Sequence, residues 1–114
     1  MRAYETKEQQ VSEKVATTGE VPEGSMTRFE FQGSHIAIAN VGGSFYAFDD
    51  ACTHMGCPLS ATPLEGTSAV CSCHGSKFDV SNGAVVHGPA RRPVQSFSVE
   101  VVGDDLMVEA ASAD

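Results

Sequence analysis

Two six-residue stretches, "CTHMGC" (Cys52–Cys57) and "CSCHGS" (Cys71–Ser76), hold all four cysteines of this 114-residue chain and two of its four histidines. Cys52 and His54 are spaced i, i+2. Cys71 and His74 are spaced i, i+3, and sixteen residues, 55–70, separate the two pairs. The pattern is C-x-H-x16-C-x-x-H, with one Cys and one His in each half. Two thiolates and two imidazoles make a complete four-ligand set for a metal centre. Cys57 and Cys73 are interleaved with that set.

The sequence on either side of the motifs is rich in strand patterns. "TRFEFQ" (Thr27–Gln32) alternates apolar and polar residues. "HIAIANV" (His35–Val41) follows Gly33-Ser34, and "SFYAFDD" (Ser44–Asp50) follows Gly42-Gly43, as strands joined by tight turns do. "SKFDV" (Ser76–Val80) and "GAVVHG" (Gly83–Gly88) flank Ser81-Asn82-Gly83, where Asn-Gly signals a hairpin. "SFSVEVV" (Ser96–Val102) and "DLMVEA" (Asp105–Ala110) flank Gly103-Asp104. Residues 1–12 read as an exposed arm leading into a first strand near Glu13–Thr17. No long amphipathic helix is found. Many short strands at this spacing predict an all-β sandwich or barrel. From Asp50 to about Pro93, Gly, Pro, Ser, Cys and His dominate, which reads as loops carried on the β base. Function concentrates on such loops.

The length suits one domain. The formal net charge is −8, which argues against nucleic acid as a partner, because phosphate neutralisation needs clustered Lys and Arg. The charge is uneven: residues 51–93 carry Lys77, Arg91 and Arg92 against Glu65 and Asp79, a balance of +1, so the rest carries −9. An acidic surface keeps a protein soluble, and it can also steer a basic protein partner. Residues 1–20 contain no apolar signal region, and "HIAIANV" is too short to span a bilayer. A soluble, cytoplasmic protein without a membrane anchor is expected.

Three arrangements can use the Cys and His residues. Two disulfides would use the cysteines and leave the paired histidines unexplained. A structural zinc ion accepts two Cys and two His, but its half-sites usually pair like with like. Either would make the chain a zinc- or disulfide-stabilised binding module. In a 2Fe–2S cluster where two His replace two Cys on one iron, mixed half-sites have a reason. Two loops clamp the cluster from opposite sides, and each supplies one Cys to the inner iron and one His to the outer. "CTHMGC…CSCHGS" resembles the Rieske proteins, and "HGPA" (His87–Ala90) resembles the proline-containing third loop that covers the cluster in that family.

The resemblance implies a small antiparallel β base, residues 1–50 and 94–114, with an inserted cluster-binding subdomain at 51–93. It implies Cys52, His54, Cys71 and His74 as ligands of a Rieske 2Fe–2S cluster. By the same resemblance, Cys57 and Cys73 form a disulfide like that of cytochrome-complex members. Ser76 resembles a serine whose hydroxyl points at a bridging sulfide in high-potential members. Those members have a tyrosine two residues further on, where this chain has Phe78, so an intermediate potential is expected. Gly56, Gly75 and Gly88 are expected to permit tight loop geometry, and Asp49 and Asp50 to cap a turn. The implied function is one-electron transfer rather than catalysis, as a ferredoxin between a flavoprotein reductase and a non-haem iron oxygenase. The alternative is the cluster domain of a quinol-oxidising cytochrome complex.

Overall fold

A computed structural model describes residues 12–53, 56–73 and 75–109. The expected N-terminal arm, apart from Ser12, lies outside the described residues, as do His54 and His74. Ser12–Thr17 forms β1, closed by one 3-10 turn at Thr18–Glu20. Met26–Phe31 (β2), Ser34–Val41 (β3) and Ser44–Asp49 (β4) form an antiparallel meander. Ser68–Val70 (β5), Lys77–Asp79 (β6) and Val85–His87 (β7) make a small three-stranded sheet. Ser96–Val102 (β8) and Asp105–Glu109 (β9) return to the large sheet. Its order is β1-β9-β8-β4-β3-β2, antiparallel throughout. Its edge strands β1 and β2 approach one another, so the sheet curls almost into a barrel. Curling protects both edges from pairing with other chains.

The turns follow from backbone demands. Val41 pairs with Ser44 across Gly42 and Gly43, whose φ angles are 61° and 94°. A two-residue turn with both residues left-handed matches the strand twist, and Gly adopts it without steric cost. Phe31 pairs with Ser34, so the preceding turn is Gln32-Gly33 rather than Gly33-Ser34. Gln32 there takes a φ of 53°.

Strand β3 explains why its sequence is almost continuously apolar. Ile36 and Ile38 point into the barrel with Val21, Phe31, Ala47, Leu106 and Val108. Ala37 and Ala39 point the other way. With Phe48 of β4, they pack against Leu59, Ala69, Phe78, Val80 and Val94, beneath the motif-bearing loops. The strand is thus buried on both faces, and its small alanines let the second layer come close.

The middle of the chain is more regular than its composition suggests. Besides β5 it contains a 3-10 turn at Leu59–Ala61. The hairpin signalled by Asn82-Gly83 is present but spans Val80–Ala84. Val80 is 1% exposed, so the chain dips into the core before it turns. Asp79 then gathers the turn: its carbonyl accepts the Gly83 N–H at 2.7 Å and its carboxylate accepts the Ser81 N–H at 2.9 Å.

Candidate metal centre

At their described residues the two motifs share the same pattern of backbone hydrogen bonds. In the first, the Gly56 N–H donates to the Cys52 carbonyl (2.7 Å) and the Cys52 N–H to the Cys57 carbonyl (2.9 Å). In the second, the Gly75 N–H donates to the Cys71 carbonyl (3.0 Å) and the Cys71 N–H to the Ser76 carbonyl (2.8 Å). Each is a six-residue knuckle with Cys first and a left-handed Gly fifth, at φ 77° for Gly56 and 78° for Gly75. The shared C-x3-G spacing was available in the sequence and signals this equivalence. His54 is third in the first motif and His74 fourth in the second, and both lie outside the described residues.

Cys52 and Cys71 are buried, 2% and 1% exposed, at the junction of knuckles and core. Cys57 and Cys73 form a disulfide between the knuckles, with Cα atoms 6.3 Å apart. The sulfurs of Cys57, Cys71 and Cys73 lie within 4.8 Å of one another. This is not a three-thiolate ligand set, because the disulfide uses two of them.

The third loop closes over the second knuckle. Ser76 is fully buried, and its Oγ accepts the Ala90 N–H at 3.0 Å. Gly88 has φ 101°, and a Cβ there would lie 2.6 Å from the Ser76 Cα. No other residue allows so close an approach. The Thr53 hydroxyl donates to the Arg92 carbonyl at 2.6 Å, fastening the third loop to the first knuckle. Phe78 is fully buried in the core below the knuckles. Asp49 caps a turn as expected, accepting the Ala51 N–H at 3.1 Å. Asp50 does more: it bonds Ser60 and Arg28 across the first knuckle. Neither partner is close in sequence, so spacing carried no sign of this.

The donor chemistry suits a 2Fe–2S cluster. Two buried cysteines sit at equivalent knuckle positions, each motif adds a histidine, and the buried Ser76 hydroxyl lies behind the second knuckle. These features define an iron–sulfur electron carrier of the two-loop kind. Residues 12–98 match the Rieske 2Fe-2S domain, and the chain belongs to that family. It is similar to the ferredoxin component of biphenyl 2,3-dioxygenase from Rhodococcus jostii, 38% identical over 84% of this chain and 90% of the relative. It is 29% identical to the cytochrome b6-f complex iron-sulfur subunit of Chlorobaculum thiosulfatiphilum, over 85% of this chain but 52% of that protein. It superposes with a TM-score of 0.82 and 33% identity on a chain in a complex of reduced oxygenase and oxidised ferredoxin of carbazole 1,9a-dioxygenase, covering 88% of this chain and 94% of that one. The protein takes a Rieske-type 2Fe–2S cluster and is an electron-transfer protein. Among the described residues, no helix is long and apolar enough to cross a membrane.

Proposed function

We propose that this chain is the ferredoxin of an oxygenase system, receiving one electron from a flavoprotein reductase and delivering it to a non-haem iron oxygenase. The observation that carries this reading is the pair of equivalent knuckles with a buried cysteine at the head of each. Similarity over nearly the whole length of a dioxygenase ferredoxin supports it. Cys52 and Cys71 would hold the inner iron, and His54 and His74 the outer, within a cluster-binding insertion at 51–93. When bound, a cluster of this ligand type would supply one-electron redox chemistry at about −150 to +300 mV. Ser76 offers its hydroxyl proton to a sulfur, and Phe78, which has no hydroxyl, offers none. A cytoplasmic location is part of the same proposal.

The disulfide and Ser76 favour a second reading, the cluster domain of a quinol-oxidising complex. Anaerobic redox titration followed by electron paramagnetic resonance separates the two. The ferredoxin reading expects a midpoint below the top of the range and electron delivery to an oxygenase. A midpoint near +300 mV with direct reduction by a quinol would reject it. The ligand assignment is tested by Cys52→Ser, His54→Ala, Cys71→Ser and His74→Ala, each of which should abolish stable cluster assembly. Full visible absorption and iron content in either His variant would overturn it.

A further inference from the structure

Both ends of the first knuckle are held by one residue. Asp50 precedes the knuckle and is 2% exposed. Its Oδ1 accepts the Ser60 N–H at 2.7 Å, and its Oδ2 accepts the Ser60 hydroxyl at 2.9 Å. Its carbonyl accepts the Leu59 N–H at 2.7 Å. Leu59 and Ser60 lie just past the knuckle, and the Ala51–Pro58 bridge closes the ring inside them.

A carboxylate this buried needs a counter-charge. Arg28 of β2 supplies it, with Nε 3.2 Å from Asp50 Oδ2. Arg28 Nη2 also lies 3.1 Å from His35 Nδ1. A guanidinium only donates, so Nδ1 accepts and the His35 ring proton is on Nε2. Arg28 is therefore aimed by a neighbour on β3 as well as by Asp50. The three residues line a cleft of about 340 Å³ that reaches Gly56 in the knuckle.

We propose that Arg28 and Asp50 are a positioning pair for the first knuckle and set the reduction potential of the cluster through their opposed charges. The proposal rests on Cys52, two residues beyond Asp50, being a cluster ligand. Reduction adds one negative charge. The Asp50 carboxylate disfavours that charge and the Arg28 guanidinium favours it, and in the intact pair the two effects oppose each other. Removing one partner exposes the other. Arg28→Gln should lower the potential and Asp50→Asn should raise it, each by up to about tenfold in electron affinity, or about 59 mV for a one-electron couple. The double variant should return close to wild type, and Arg28→Lys should stay near it.

The experiment is a redox titration of the cluster-loaded wild type and these four variants, with visible circular dichroism to report cluster geometry. Amide hydrogen exchange at Ser60, whose N–H loses a charged acceptor, should quicken about tenfold in Asp50→Asn, a readout independent of electron transfer. Opposite shifts from the single variants, cancelling in the double, establish the proposal. Shifts of the same sign, or none, overturn it. Should one single variant fail to fold, the double variant and Arg28→Lys still decide: a double variant far from wild type rejects charge compensation. Iron and sulfide content of the wild type tests the cluster reading separately. A wild type without a cluster would bring down both readings.

Discussion

Ser76 and Gly88 show how little room the second knuckle leaves. The Ser76 hydroxyl accepts the Ala90 N–H, in a place that only a glycine at 88 leaves open. Ser76→Ala should therefore lower the reduction potential while leaving the visible spectrum unchanged. A hydrogen bond to a charged acceptor is worth about 1.5–3 kcal/mol. Only the difference between redox states moves the potential, so a fall of some tens of millivolts is expected, taking about 59 mV as 1.4 kcal/mol. Phe78→Tyr should raise it by a similar amount, and redox titration of both variants checks the pair. Gly88→Ala combines a strained φ with a backbone clash, and should shorten the cluster's lifetime on heating and cost more than 1 kcal/mol in denaturant unfolding. At this scale the sequence was informative wherever chemistry is local. The disulfide and the Asp49 turn could be read from family resemblance and residue type. The link from Arg28 to Asp50 could not, because it joins residues that only the fold brings together.

At the scale of elements, Gly-marked turns and alternating strands were legible because hairpin geometry is set by adjacent residues. β5, "SAV", was not. Three small residues among Ser, Thr and Gly show no alternation, and the strand exists because β6 is there to pair with it. The Gln32-Gly33 turn was misplaced by one residue, since Gln is not a residue that announces a left-handed φ. Gln32 is the non-glycine residue with positive φ among the described residues, a conformation costing roughly 1–2 kcal/mol. Gln32→Gly removes that strain and adds unfolded-chain entropy. A net gain of about 0.5 kcal/mol is expected, as a raised urea midpoint with unchanged slope. The knuckles are joined by a disulfide across a sequence separation of 16. Replacing Cys57 and Cys73 together by Ser should cost roughly 3 kcal/mol in the chain-entropy description. The cluster should still assemble, and thermal loss of its visible absorption should come earlier.

For the whole molecule, the decisive element is β3, which lies between the barrel interior and the core beneath the knuckles. Ala39→Leu should test that placement. Overpacking a filled layer costs about 1–3 kcal/mol, so the midpoint of chemical unfolding should fall, and the cluster should become less well held because its floor is pushed outward. Double-sided burial was only half legible. The apolar run was evident, but which residues faced which core depended on the fold of the intervening segment. Sharing one strand between two cores also has a calorimetric consequence. Neither core can melt while the other keeps its wall, so base and knuckles should come apart together. A heating scan should show a single heat-absorption peak, with van't Hoff and calorimetric enthalpies in agreement as long as the cluster stays bound.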